Sequence, residues 1–375
     1  MRKPHRSLSP DSALRARARL GSVALLAALL IPLAPTPALA AATCSFNSTT
    51  NVLEINLGDD DLASLNRQGT NIRLQAPGPV TVACTGGQPT VANTDDINIT
   101  GSAGNNTLFI QLHRGFFAPG ATDEPGGSDE IEITVDLLGG SDNFFLSGAP
   151  GERAMNLRAG ALGLNLNASE RSGVDADLTV AGEPYFQVSG NSDVLNVISG
   201  AGGAGTGGPF PAALDIRGLP RSAETLIGGA ANDFIFAGDG NDLVAGGGGG
   251  DVIKGEGGRD TVTYKGTGGA TLDLATGVAS DDGTGASDSL TGVENVTGSA
   301  NRDDLTGSDR KNKIVGGGGR DLLFGMGNDD RLLGKGGRDQ LQGETGDDYL
   351  HGGRGRRDLC IGGPGADRLR SCELR

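Results

Sequence analysis

An aspartate recurs every nine residues along two stretches of this chain. Asp233, Asp242, Asp251 and Asp260 mark the first stretch; Asp303, Asp321, Asp330, Asp339, Asp348 and Asp367 mark the second. Asn312 stands in once, and one extra residue enters near Arg357 and Asp358. Carboxylates at a fixed spacing are hard oxygen donors, and the residues between them are mostly glycine, which leaves backbone carbonyls open. That donor set suits a hard divalent cation; calcium takes six to eight oxygens at about 2.3–2.6 Å. No cluster of cysteine and histidine competes for a softer metal.

The element that positions each aspartate is legible in the same nine residues. The first block reads GGAANDFIF, AGDGNDLVA, GGGGGDVIK, GEGGRDTVT from Gly228; the second starts at Gly298 with GSANRDDLT, GSDRKNKIV, GGGGRDLLF. With the first residue of each unit as position one, the acid holds position six. Position eight is apolar: Ile235, Val244, Ile253 and Val262, then Leu305, Ile314, Leu323, Leu332, Leu341, Leu350 and Leu369. Each unit is thus a six-residue turn and a three-residue strand with one inward side chain. Glycines at positions one, two and four suit backbone with φ > 0, and asparagine at position four tolerates it next best. Gly238, Gly240, Gly247, Gly249, Gly317 and Gly319 are the turn glycines expected to offer carbonyls to the cation. Two strands make one coil of eighteen residues, which places Asp233 over Asp251 and Asp242 over Asp260 on the opposite edge. One apolar side chain per nine ordered residues is a thin core. Bare carboxylates stacked about 4.8 Å apart repel by about 1 kcal/mol in water and by more when half-buried. A bound cation reverses that sign, so several calcium ions are expected to drive folding.

These units resemble the glycine-rich nonapeptide G-G-x-G-x-D-x-U-x of the RTX, or hemolysin-type calcium-binding, repeats. The resemblance covers residues 228–263 and 298–370 and implies a parallel β-roll, in which the turns bind calcium and the short strands stack. Ala231, Asn312, Arg310 and the insertion near Asp358 depart from the pattern and mark units expected to bind weakly or not at all.

Residues 1–40 read as a secretory signal peptide. Six basic residues from Arg2 to Arg19 precede an apolar run over Leu20–Leu33, and Ala38-Leu39-Ala40 offers a small-residue cleavage site. The run is shorter than the ~20 residues of a membrane span. The expectation is a secreted, extracellular or cell-surface protein. RTX toxins leave by a dedicated exporter with a C-terminal signal, so toxin activity does not carry over. The formal net charge is −15, which disfavours nucleic acid and favours cations. Arginines such as Arg320, Arg338 and Arg356 stand beside the aspartates of the second block. They read either as outward charges balancing the acids or as a face gripping an anionic extracellular polysaccharide. Four cysteines in a secreted chain suggest disulfides; proximity pairs Cys44 with Cys84 and Cys360 with Cys372.

The remaining sequence divides into a β-rich domain over 41–220, the first roll block over 221–264, a β spacer over 265–297 and the second block with a terminal cap over 298–375. Alternation at Val52–Leu57, Ile97–Ile99 and Ile131–Leu137 predicts strands. GSAGNNTLF at 101–109, with Asn106 at position six, GGSDNFFL from Gly139 and GNSDVLNV from Gly190 echo the nonapeptide. A solenoid continuous with the roll, or a sandwich, accounts for them; GTGGPFPA at 205–212 reads as a boundary. In the spacer, Leu272, Leu274, Val278, Leu290, Val293 and Val296 are candidates to extend the core, and Asp281, Asp282 and Asp288 read as solvated loop carboxylates or an added cation site. No H-E-x-x-H and no G-x-S-x-G is present. A lyase or glycosidase using carboxylates alone would draw on Asp59, Asp60, Asp61, Asp129, Glu130 or Glu132, none with an evident partner, and His113 and His351 read as structural or surface residues. The chain is therefore expected to be an all-β, calcium-dependent binding or structural protein, with a carbohydrate-active enzyme as the alternative.

Overall fold

Alternation and nonapeptide both resolve into one repeated act: the chain runs up one sheet, turns, and runs along a second. The computed structural model describes residues 42–77, 80–112, 131–139, 141–147, 155–160, 163–165, 178–181, 185–189, 195–199, 213–220, 223–355 and 357–373. The signal-peptide segment, His113, Asp129, Glu130, Arg356 and the boundary at 205–212 lie outside these residues, as does the start of GNSDVLNV. Two sheets of sixteen strands each extend through the described chain, with no helix. Most neighbours are parallel and lie one coil apart: Phe234 pairs with Val252, Thr225 with Leu243, Leu322 with Gln340 and Arg331 with Tyr349. The stretch over 41–220 is solenoidal, its strands continuing the same two sheets.

The two halves fill the space between the sheets differently. The stacked strands up to Asn143–Ser147 are five to seven residues long and turn at least two apolar side chains inward. Leu53 and Ile55 stack on Ile97 and Ile99, then on Ile133 and Val135, in register. Ala63 and Leu65 do the same with Leu108 and Ile110, then Phe144 and Leu146. From residue 228 one position-eight side chain per strand remains, and all of them from Ile235 to Leu350 are fully buried. Cys360 takes the next such place, paired with Leu341. Leu369, in the last strand, is only partly covered. Strands of the first block are three residues long, as at Phe234–Phe236, whereas those of the second reach five or six, as at Leu322–Gly327.

The spacer joins the blocks unequally. In one sheet, strand Asn295–Thr297 simply stacks between Thr261–Thr263 and Lys313–Gly317. In the other, Asp288–Thr291, Val278–Asp281 and Thr271–Asp273 form an antiparallel meander between Val252–Lys254 and Asp304–Ser308. Leu272, Leu290 and Val296 join the core and Leu274 and Val293 flank it, but Val278 points outward and is 41 % exposed. The antiparallel reversal turns its face to solvent.

Antiparallel hairpins close the sheets at the start: Thr43–Asn47 on Val52–Asn56, and Leu62–Gln68 with Asn71–Ala76 and Val80–Val82. Cys44 bonds Cys84 with Cα atoms 4.4 Å apart, tying the first strand of one sheet to the segment that follows the edge strand of the other. Cys360 bonds Cys372 across the far end, Cα atoms 5.8 Å apart. Each bridge pins the coil that has neighbours on one side only.

Candidate metal centre

Position six points into the solenoid at every turn. Asp233, Asp242, Asp251, Asp260, Asp303, Asp321, Asp330, Asp339 and Asp348 are each 3 % exposed or less. Their two carboxylate oxygens have separate fates. One oxygen, Oδ1, accepts the position-six N–H of the preceding coil. Asp233 N–H donates to Asp251 at 2.8 Å, Asp242 to Asp260 at 2.9 Å, Asp303 to Asp321 at 3.0 Å, Asp321 to Asp339 at 3.1 Å and Asp330 to Asp348 at 2.8 Å. The acids thereby form a column along each edge of the solenoid, each linked to the coil before it. The second oxygen, Oδ2, is buried without a hydrogen-bond partner at Asp242, Asp251, Asp260, Asp321, Asp330, Asp339, Asp348 and Asp358. Buried polar atoms are nearly always satisfied, so a series of eight orphaned oxygens is a property of the site.

The position-one glycine makes room for that oxygen. The nonapeptide pattern predicts positive φ there, and the structure corrects this: Gly228, Gly246, Gly255, Gly316, Gly334 and Gly343 are not among the positive-φ residues. Their requirement is space. A Cβ on Gly334 would lie 2.4 Å from Asp339 Oδ2 and 2.5 Å from the Gly352 carbonyl oxygen of the next coil. On Gly325 it would meet Asp330 Oδ2 at 2.5 Å and Gly343 O at 2.7 Å; on Gly255, Asp260 Oδ2 at 2.5 Å and Gly292 O at 2.2 Å. Carboxylate and carbonyl oxygens of successive coils converge where a side chain would stand. Positive φ belongs to positions two and four, as at Gly238, Gly247, Gly249, Gly317 and Gly319, and non-glycine Met326 and Lys335 accept it at position two. Gly240 is not in that conformation; it pairs with Gly258 in a two-residue ladder.

Three turns of the roll satisfy themselves. In GGAAND, GSANRD and GSDRKN the position-two N–H bonds the residue-six side chain of its own unit: Gly229 to Asp233, Ser299 to Asp303 at 2.8 Å, and Ser308 to Asn312 at 2.6 Å. Asn312 also donates its amide to Glu294 O at 2.6 Å. GSAGNN in the first half repeats this arrangement: Ser102 N–H reaches Asn106 Oδ1 at 2.9 Å and Asn106 Nδ2 reaches Gly58 O at 2.8 Å. Asp233 and Asp303, both expected among the metal ligands, thus have Oδ2 already engaged. Asp367, in the final unit, is half-exposed with no full coil above it.

Four residues belong to the columns that nonapeptide spacing missed. Glu224 N–H donates to Asp242 at 2.8 Å; stepping back eighteen residues from Asp242 would have found it. Asp288 accepts from Asp251 N–H at 3.0 Å and also binds the Tyr264 hydroxyl at 3.1 Å. Glu294 accepts from Asp260 N–H at 3.0 Å. Asp358 accepts from Asp339 N–H at 3.0 Å, so the inserted residue is absorbed in the turn, where Arg357 takes φ +68°, and the column resumes. Asp282 and Asp288 are therefore buried, not solvated; Asp282 caps its own loop through the N–H groups of Thr284, Gly285 and Ala286. Asp59, Asp60 and Asp61 accept backbone N–H bonds from Gly104, Asn105 and Gly58.

Burial dominates the electrostatics of the columns. It pushes the Asp251 carboxyl up to about 8, with Asp288, Asp233 and Asp282 adding repulsion. Asp233, Asp260, Asp321 and Asp330 rise to about 7, and Asp288 and Asp339 to about 6, for the same first cause. Among the described residues no three His, Cys, Asp or Glu side chains gather at one point, so an ion here completes its shell from backbone carbonyls. An oxygen-only donor set with unpaired carboxylate charge fits calcium.

A family model for the RTX calcium-binding nonapeptide repeat (4 copies) matches residues 222–253, 243–264, 297–332, 324–359 and 333–369. These are RTX calcium-binding repeats. No curated protein matches the chain. The RTX segments coincide with the two runs of buried aspartates, and the orphaned oxygens fall in the glycine-rich RTX turns rather than in the self-capped ones.

Proposed function

We propose that this chain is an exported structural or adhesive protein whose RTX roll becomes rigid only when calcium fills its edges. One observation carries the reading: the columns of buried Oδ2 atoms with no partner. They leave the apo roll with uncompensated charge, and calcium supplies the missing partner. The thick core of residues 43–147 does not depend on the metal, so the protein is a metal-independent solenoid extended by a metal-dependent one. Export through the N-terminal signal with cleavage near Ala40 delivers it to millimolar calcium, and two disulfides suit that oxidising compartment. Its partners are calcium ions and extracellular or cell-surface polysaccharide.

Circular dichroism and thermal melting of the mature chain, in EDTA against millimolar calcium, test this. Calcium should raise β content and the melting temperature of the roll. An identical spectrum and melting temperature in both conditions would sink the proposal.

A further inference from the structure

The two edges of the second block treat position five differently. On one edge that row reads Lys311, Asp329 and Asp347, a mixed row in which Lys311 Nζ pairs with Asp329 at 2.5 Å and Asp329 also accepts the Asp347 N–H at 3.1 Å. On the other edge the row reads Arg302, Arg320, Arg338 and Arg357, all exposed. None of the four makes an ion pair with a carboxylate among the described residues. Their coils are in register, with Leu322 paired to Gln340 and Gln340 to Leu359, and the Arg338 N–H bonds the Gly319 carbonyl at 3.2 Å. The guanidinium groups therefore rise along the edge at about 4.8 Å per step. Like charges that close destabilise one another. Asp321 and Asp339 reach the wall beside them but are each 2 % exposed and pair with none of the four, their free Oδ2 being buried on the metal column. Beside the row the turns are bare glycine, Gly318, Gly319, Gly336 and Gly337. The result is a groove of about 190 Å³ lined by the four arginines, by Leu322, Gln340 and Leu359, and by Asp321 and Asp339.

We propose that this arginine ladder is a binding site for a linear polycarboxylate, an acidic polysaccharide of the polyuronate class lying along the roll axis. Guanidinium forks bind carboxylates in bidentate fashion, and a uronan offers one carboxylate per sugar ring, a repeat comparable to the coil rise. The strongly negative remainder of the chain (net −15 overall) repels any polyanion that spreads beyond the groove, which selects a slender chain over a nucleic acid duplex. The site rests on the calcium-folded roll proposed above. Calcium neutralises the inner aspartates and leaves the ladder as the net charge of that edge, so polyanion and calcium should bind with positive coupling.

The experiment is isothermal titration of the mature protein, in fixed millimolar calcium, with tetragalacturonate, its methyl ester and a single-stranded oligodeoxynucleotide of equal charge. Tetragalacturonate should bind, the uncharged ester should not, and the oligonucleotide should bind at least tenfold more weakly. The double variant Arg320→Gln/Arg338→Gln should lose tenfold or more in affinity, and Arg320→Lys/Arg338→Lys should recover only part of it. Arg310→Gln, on the other edge, should bind like the parent. Calcium titration followed by circular dichroism on every variant separates the two readings: a roll that fails to respond to calcium indicts the calcium proposal. A roll that folds normally, yet binds ester and acid alike or ignores the double substitution, overturns the ladder. Equal or tighter binding of the oligonucleotide overturns the polyuronate assignment.

Discussion

Replacing Asp321 by asparagine should stabilise the protein without calcium and destabilise it with calcium. Asp321 stands between Asp303 and Asp339, one coil to either side. At about 4.8 Å a like-charged neighbour costs roughly 1 kcal/mol in water and about 3.5 kcal/mol at an effective dielectric constant of 20. Burial adds to this and is the larger reason its carboxyl rises to about 7. Asparagine keeps the Oδ1 acceptor for Asp303 N–H, at 3.0 Å in the parent, and places an amide where Oδ2 has no partner. Asn312 already occupies an equivalent turn with both side-chain atoms bonded. In EDTA at pH 8 the gain should be about 1–3 kcal/mol, read as a higher apparent melting temperature by calorimetry. One molar sodium chloride should shrink the gain by screening. In millimolar calcium the same variant lacks a charged ligand, and its affinity at that turn should fall at least tenfold, about 1.4 kcal/mol. Calorimetric melting under both conditions decides the matter. A change of the same sign with and without calcium would show that the orphaned oxygen is not a metal ligand.

Three further outcomes follow from the same geometry. Gly334→Ala places a Cβ 2.4 Å from Asp339 Oδ2, whereas Gly336→Ala in the same turn meets nothing nearer than 3.6 Å. The first should cost about 1–3 kcal/mol by overpacking and weaken calcium binding, the second should do neither, and equal effects in calcium titrations would refute the role given to position one. The raised carboxyl groups predict a pH dependence of opposite sign to that of ordinary salt-bridged acids. Asp233, Asp251, Asp260, Asp321 and Asp330 sit at about 7–8 when folded against 3.8 as the ordinary value. Their contribution to apo stability is complete below pH ~4 and is lost as pH rises through about 6–8. Melting in EDTA should fall across that window, and calcium binding near pH 7 should release protons, measurable as a buffer-dependent enthalpy. Removing the terminal bridge with Cys360→Ser/Cys372→Ser opens a twelve-residue separation, worth about 3 kcal/mol. Hydrogen exchange should quicken in Leu359–Ile361 and Arg368–Arg370 and stay unchanged near Cys44.

The repeat made the second half of the molecule readable because its period is locked to the coil. Eighteen residues return the chain to the same edge, so Asp233 over Asp251 and Leu323 over Leu341 could be placed from numbering alone. The first half was harder for a physical reason. Its strands follow the general alternation of any half-buried sheet, and its turns vary in length, so nothing in Val52–Asn56 names Asp96–Ser102 as its partner. The spacer misled in a different way. Asp288 looks like a loop acid in DDGTGASDS, but the antiparallel meander carries it back onto the column beneath Asp251, a return that no fixed period encodes.

What the sequence determined by itself is the chemistry: which residues face inward, the oxygen-only donor set and the eighteen-residue stacking. Those follow from local steric preference and periodicity, which act within one or two turns. What only the tertiary structure decided is which of the aspartates still has an oxygen to give. Asp233 and Asp303 spend theirs on a neighbouring N–H, while Asp251, Asp321, Asp339 and Asp358 do not. That difference turns on where the position-two N–H of each turn points once the coils are stacked.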